Sequence, residues 1–484
     1  MNNGTIPHIA ASKGQRSDLM KKFIESIIFT TVILTFSTMV FANSGPVFWQ
    51  GYPSSDIMSI DTNSPITVKN ENLVFDFSDH DDSDYTISGK VTATYEMVNP
   101  TKEPQSVQMA FPFVGTLNSL SPESVVISAD NIILPYDIYF ADVVDIRGNP
   151  RYEEETSFDF ANILNTITAE PYKAESFEEN EKGKLYTIEV KPITNQIVNI
   201  VVNFNGNKTK VLANGFNGYE RNNERIKITA SCDKPVTLEV FVLGEDIGLF
   251  TNTYTAGESS GETDLFTCQI STQEVEFRPY FMDYIKKHTN ASNRSMIFDT
   301  QLYNLYAKAL DRYFKINMGY SSEYDLMAQG DYKRIMTLVY TVEFPKNSEK
   351  EISVSYKTSG TMDKTETVKP LYSFDYILNP AENWSDFKNL NIEIITPKEA
   401  PYIVKSSIDL IKGENKVYTA TLAALPEEDL SFTLYADKKI TLLDKTVGNL
   451  QNSFGYFTLL VIGAIVLFIG IIIMAIILKR KKNK

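Results

Sequence analysis

Val91-Thr92-Ala93-Thr94-Tyr95-Glu96-Met97 alternates apolar and polar residues without a break. Successive side chains of a strand point to opposite faces, so Val91, Ala93, Tyr95 and Met97 share a buried face while Thr92, Thr94 and Glu96 share a polar one. That is the pattern of a half-buried antiparallel strand. Asn99-Pro100-Thr101-Lys102 then supplies a turn. The same rhythm extends outward, with strands expected over Ile66 to Phe77, Tyr85 to Val98, Gln105 to Phe113, Ser124 to Ser128 and Leu134 to Tyr139. Further short β runs follow at Ile188 to Lys191, Ile197 to Phe204, Ile226 to Ser231 and Val236 to Val242, at the spacing of a sandwich.

Three stretches interrupt this pattern. Phe158 to Ile167 predicts one amphipathic helix with Ser157 as its N-cap. Pro279 to His288 and Thr300 to Phe314 predict a helical hairpin, the second helix carrying Leu302, Leu305, Tyr306, Ala309, Leu310 and Tyr313 on one face. Strands resume from Ile335 to Tyr435. The expected fold is mainly β with a helical insertion, two antiparallel β-sandwich modules plus one C-terminal transmembrane helix. Val190-Lys191-Pro192 with Ile200, Val202 and Phe204 is echoed by Phe344-Pro345 with Ile352, Val354 and Tyr356, which fits two related sandwiches.

The two ends address the chain to a membrane. Tyr456 to Leu478 reads YFTLLVIGAIVLFIGIIIMAIIL, an uncharged run of the length that spans a hydrocarbon core of about 30 Å. Lys479, Arg480, Lys481, Lys482 and Lys484 follow and, by the positive-inside rule, belong in the cytoplasm. Near the other end, Lys21-Lys22 precede an apolar stretch that closes on Val40-Phe41-Ala42, a signal-peptidase site with cleavage between Ala42 and Asn43. Met20 is the expected initiator and residues 1–19 a mis-assigned extension; the alternative is an uncleaved anchor. Seven further segments follow: a signal peptide at 20–42, an N-terminal β-rich module at 43–275, a helical insertion at 276–330, a membrane-proximal sandwich at 331–440, a juxtamembrane linker at 441–453, the membrane helix at 454–478 and a cytoplasmic tail at 479–484. The expected location is the cell membrane, single-pass, with the ectodomain outside.

Composition narrows the function. The formal net charge is -15, and setting aside two net positive charges in residues 1–42 and five in the tail leaves about -22 between them. Such a field repels nucleic acid and anionic polymers, so no nucleic-acid partner is expected. Cys232 and Cys268 each lie in a strand-like run. In an exported chain they are either a disulfide closing a loop of about 35 residues, for about 3–4 kcal/mol, or two buried thiols acting as small apolar groups.

Tyr376-Ile377-Leu378-Asn379-Pro380-Ala381-Glu382-Asn383-Trp384, followed by Phe387, Leu390, Ile392, Ile394 and Pro397, resembles a pattern in uncharacterised exported β-rich single-pass proteins of clostridial-type Gram-positive bacteria. Tyr95-Glu96-Met97-Val98-Asn99-Pro100 and Phe111-Pro112-Phe113 resemble the opening sandwich of the same proteins. The resemblance implies fold and location, and no activity.

Motifs for chemistry are few. Asp79, Asp81, Asp82 and Asp84 could chelate Ca²⁺, but the run lacks the Gly and Glu of an EF-hand and fits a solvated hairpin tip better. Gly257-Glu258-Ser259-Ser260-Gly261 matches G-x-S-x-G without the strand-to-helix context of a nucleophile elbow. No cofactor and no enzyme are expected. The sequence therefore predicts a non-catalytic envelope protein binding a protein or a wall component. The alternatives are an extracytoplasmic hydrolase with dispersed carboxylates, recognisable by two carboxylates converging in a cleft, and an accessory subunit of a membrane complex.

Overall fold

The computed structural model describes residues 46–482 apart from 62, 80–84, 122, 145–162, 194–196, 251–253, 256–257, 260–265 and 290–295. It is mainly β. An eight-stranded sheet runs in the order Ile411–Lys412, Val417–Leu422, Leu390–Ile395, Thr67–Asp76, Ser88–Asn99, Ser348–Ser359, Val125–Ala129, Ile132–Ile133. Its inner face packs on two smaller sheets. One joins Met58–Ser59, Gln105–Gly115, Arg334–Phe344 and Asp137–Val143; the other joins Phe48–Trp49, Thr361–Asp363, Leu371–Ile377, Leu430–Tyr435 and Tyr402–Ser406, with Ser54–Ser55 paired alongside. Phe75 meets Phe432 edge-on at 5.2 Å and Phe111 meets Tyr356 at 4.9 Å, so aromatic rings lock the large sheet to each small one.

Early and late strands alternate within these sheets. Ser348–Ser359 pairs with Ser88–Asn99 along its whole length, and Arg334–Phe344 does the same with Gln105–Gly115. The expected division into a module at 43–275 and a second at 331–440 is therefore corrected, because one sandwich draws strands from both. Period-2 alternation fixes which face of a strand is buried and leaves its neighbour open.

What is contiguous is the second sandwich. Phe266–Glu276, Lys182–Pro192, Val236–Gly244, Thr209–Asn214 and Tyr320–Ser322 form a five-stranded sheet facing Gly218–Asn222, Arg225–Cys232, Val198–Asn205 and Gly248–Phe250. Ile188, Val190, Val240, Ile200, Val202 and Ile228 fill the space between. The strand Val236–Gly244 is apolar on both faces for a reason: Leu238, Val240 and Val242 point into this sandwich, while Phe241 and Leu243 belong to the first core.

The helices make that second contact. Helix α1, Phe277–His288, stacks Tyr280 on Phe241 at 4.5 Å, and helix α2, Asp299–Ile316, sets Tyr303 edge-on to Phe281 at 6.3 Å. Both lie within two residues of the expected bounds. A short helix α3, Glu323–Met327, opens on a Ser322–Asp325 capping box. Of the helix expected over Phe158 to Ile167, the described part is a buried Ile163, one 3-10 turn, Leu164–Thr166, and an extended Ile167; residues 158–162 lie outside the described residues.

The Val190 and Phe344 echo marks similar corners. Each turn carries the chain from one sheet of a sandwich to the other. At the second corner the fully buried Asn99 donates through Nδ2 to the Pro345 and Glu103 carbonyls, both at 2.9 Å, and its Oδ1 accepts from the Thr101 amide at 3.0 Å.

Helix α4 runs Leu442–Phe454 and, after the 3-10 turn Gly455–Phe457, helix α5 runs Thr458–Lys482. Among the described residues no helix is long and apolar enough to cross a membrane. The expected cleavage site at Ala42 and Asn43 lies outside the described residues, as does Lys484.

Asn99→Ala should lower stability by about 1–3 kcal/mol, because it removes the hydrogen bonds of two crossovers and leaves buried carbonyls unpaired. Denaturant unfolding of the detergent-solubilised full chain measures this, with exposed Ile411→Ser as the near-neutral reference.

Candidate functional site

Among the described residues, polar groups gather in a buried cluster, in an aromatic groove and in a charged groove of about 340 Å³ lined by Lys182, Lys184, Asp246 and Glu274; the first two differ in access. The first is sealed. In Thr67–Asp76 a register shift between Val68 and Asn70 resets the alternation, so that Glu71 joins Leu73 and Phe75 on the buried face. Its cross-strand neighbour is Tyr95. The Tyr95 hydroxyl donates to Asp56 Oδ1, which also accepts from the Ile57 amide at 2.8 Å.

Asp56 and Glu71 are both 0% exposed. Neither oxygen of Glu71 accepts from an N–H or O–H donor, nor does Asp56 Oδ2, and the Tyr340 hydroxyl beside them has no partner; a proton on either carboxyl bridges Glu71 to Asp56. Burial pushes the Asp56 carboxyl up to about 7 against the Tyr95 and Ile57 hydrogen bonds that lower it. Burial, and then the Asp56 charge, hold Glu71 well above the usual carboxylate range. Two desolvated like charges side by side are untenable, so the pair keeps at least one proton at neutral pH. These are convergent carboxylates without a cleft: no substrate reaches them.

The second place is open. A groove of about 240 Å³ lies where the second sandwich meets the end of α2. Tyr219 stacks on Tyr320 with ring centres 5.1 Å apart and planes at 20°, and donates its hydroxyl to the Asn317 carbonyl at 3.3 Å. Tyr320 is buried, Tyr219 is 43% exposed and Tyr324, at the rim, is 66% exposed. Asn217, Asn317, Ser322 and Asp325 supply the polar lining. Asp325 is held by its cap, accepting from the Ser322 amide and hydroxyl, each at 3.1 Å. Burial, then the Asp325 and Glu323 charges, raise the Tyr320 phenol, so it stays a neutral donor.

Local sequence explains the shape. After α2 the chain reverses through Met318 and Gly319, both with positive φ, and a Cβ on Gly319 would lie 2.5 Å from the Thr209 carbonyl oxygen. The reversal lets Tyr320–Ser322 pair in parallel with Val211–Ala213, which seats Tyr320 on the sandwich edge. Neither groove nor buried pair was singled out from the sequence. The signals were there: counting down in twos from Phe77 through Phe75 and Leu73 lands on Glu71, Tyr219 follows Asn217-Gly218, and Tyr320 follows Asn317-Met318-Gly319.

The residues that sequence did single out are scattered. Asp79 is exposed on a turn; Asp81, Asp82 and Asp84 lie outside the described residues. Cys232 and Cys268 are free thiols, the first within the second core and the second at its margin, and burial pushes Cys232 up to about 11. Ser259 of the G-x-S-x-G match sits in a two-residue strand paired with Tyr254–Thr255, a hairpin and not a strand-to-helix elbow.

The buried pair sets a pH dependence with a definite sign. Folded Asp56 keeps its proton to about pH 7, whereas in the unfolded chain it loses it near the ordinary 3.8. The folded state thus binds more protons across that window, and this contribution, complete below it, is lost as pH rises toward 7. Glu71→Gln should flatten the fall and raise stability at pH 8, as read from unfolding midpoints between pH 4 and 8.

No protein family and no curated protein matches this chain. Among solved structures, a candidate nutrient-binding protein of Legionella pneumophila is similar to it over 85% of this chain and 76% of that one, with 9% identity and a TM-score of 0.36, a likeness that carries no argument about fold or function.

Proposed function

We propose that this chain is a non-catalytic binding protein of the cell envelope, held by its C-terminal apolar helix with the β-rich part outside the cell, and that the tyrosine groove is its ligand site. The observation that carries this reading is the contrast between the two polar places. Convergent carboxylates would favour a hydrolase, but Asp56 and Glu71 are sealed in the core. The tyrosine groove is accessible, shallow and aromatic, the form that ligand recognition takes.

Its chemistry favours an uncharged, hydroxyl-rich ligand over a polyanion. Tyrosine faces and edges receive the apolar side of a sugar ring, while Asn217, Asn317 and Ser322 offer donors and acceptors for hydroxyls. The net negative charge of the chain opposes anionic polymers. A neutral saccharide of the wall meets both conditions. The run Tyr456 to Leu478 with its basic tail supports the anchor, since it matches a bilayer in length and polarity.

Detergent-solubilised full-length protein should be retained on purified cell wall. Tyr324→Ala and Tyr219→Ala should each weaken retention about fivefold or more, the scale of one lost aromatic contact of about 1 kcal/mol. Tyr85→Ala, exposed elsewhere, should leave it unchanged. Equal retention of all variants, or none for the wild type, would count against the groove.

A further inference from the structure

We infer that helix α4 is a membrane-surface helix, seated on the lipid headgroups by an exposed apolar stripe and so fixing the β-rich body against the bilayer. This rests on the proposed anchor. Leu443, Val447, Leu450 and Phe454 recur at i, i+4, i+7 and i+11 and form one stripe along α4. Leu443 is 76% exposed and Phe454 45% exposed, with Val447 and Leu450 half-buried between them; Phe457 in the following turn is 66% exposed. Apolar groups of this size on a soluble helix normally face a core.

The body of the protein holds α4 by a different side. Gly448, about a quarter of a turn from that stripe, is the buried residue of the helix. It lies against Thr367 so closely that a Cβ would sit 2.5 Å from its backbone atoms. The helix is thus fixed to the fold by one side while Leu443 and Phe454 hold the two ends of its apolar stripe outward. A capping box between Thr441 and Asp444 starts it firmly, with Asp444 accepting from the Thr441 hydroxyl at 2.7 Å.

Lipid is the occupant because α4 runs almost directly into the apolar helix α5. Only Gly455–Phe457 separates the two, and Thr458 ties the joint by donating to the Leu450 and Gly455 carbonyls at 3.2 and 2.7 Å. Three residues span at most about 10 Å. If α5 enters hydrocarbon, α4 lies within the headgroup layer, where an apolar stripe is buried about 5–10 Å deep. A protein partner would have to compete with lipid that the anchor already places there.

Full-length protein in phosphatidylcholine/phosphatidylglycerol vesicles tests this through single tryptophans, measured as added emission over Trp49 and Trp384. Leu443→Trp and Phe454→Trp should lose about half or more of that emission when the acyl chains are brominated near the headgroup end. Asn452→Trp, off the stripe, should keep it, and Phe468→Trp within α5 should be quenched by bromine deeper in the bilayer. If Phe468→Trp is quenched while Leu443→Trp and Phe454→Trp are not, the anchor stands and the surface helix is wrong. Quenching of none overturns both, and equal quenching of Asn452→Trp overturns the one-sided seat.

Discussion

Ser348–Ser359 lies hydrogen-bonded along its full length to Ser88–Asn99, and this one pairing joins parts of the chain separated by the entire second sandwich and its helices. Everything else in the first sandwich is arranged around it. Thr67–Asp76 extends the sheet on one side, Val125–Ala129 on the other, and Arg334–Phe344, one turn earlier, closes the opposite layer on Gln105–Gly115. Such distant pairing makes the first core form late, since loop-closure entropy must be met before the contacts reward it. The second sandwich has no such burden. Its strands are contiguous from Lys182 to Glu276 save for the short Tyr320–Ser322 edge, and its apolar cluster is its own.

This difference explains what could be read from the sequence. Val91 to Met97 announces its strand and its buried face without error, because alternation depends only on neighbours along the chain. The helix at Asp299–Ile316 is equally plain, with Leu302, Leu305, Tyr306, Ala309 and Leu310 all buried. Partner choice is another matter. Nothing in Val91 to Met97 distinguishes Ser348–Ser359 from any other alternating strand, so the linear division into two modules followed from proximity in sequence and failed. Glu71 was missed for a related reason: a bulge at Lys69 changes phase within a single strand, and an acidic residue on a buried face runs against expectation until Leu73, Phe75 and Phe77 set the phase. The groove was missed because its walls, Tyr219 and Tyr320, are about a hundred residues apart and meet only after folding.

Two buried aspartates show how the same residue type takes opposite roles. Asp311, 1% exposed on α2, accepts from the Tyr172 hydroxyl at 2.9 Å, from the Glu175 and Ser176 amides at 3.3 and 2.9 Å, and pairs with Lys315 at 3.1 Å. Burial alone would raise its carboxyl, yet these donors outweigh it and hold the group below its ordinary range. It is an ionised clamp that pins residues 172–176 to the helix. Asp56 lies deeper, with fewer donors and a second carboxyl beside it, and there the balance reverses.

That reversal bears on why a sandwich would keep Asp56 and Glu71 at all. A buried polar pair is weak evidence for stability, since apolar residues of the same volume often serve better. Its geometry is nonetheless specific: Asp56 lies on the segment that pairs Ser54–Ser55 with Leu371–Ile377, Glu71 and Tyr95 lie on neighbouring strands of the large sheet, and Tyr340 comes from the opposing layer. All three sheets of the first sandwich therefore meet at one hydrogen-bonding cluster. Only a register that brings Glu71 opposite Tyr95 turns its carboxyl in toward Asp56, because a slip of one residue along Thr67–Asp76 turns Glu71 out to solvent and Leu73 with it. In a fold whose decisive pairings join strands far apart in sequence, a polar contact satisfied in one register only is a means of choosing that register.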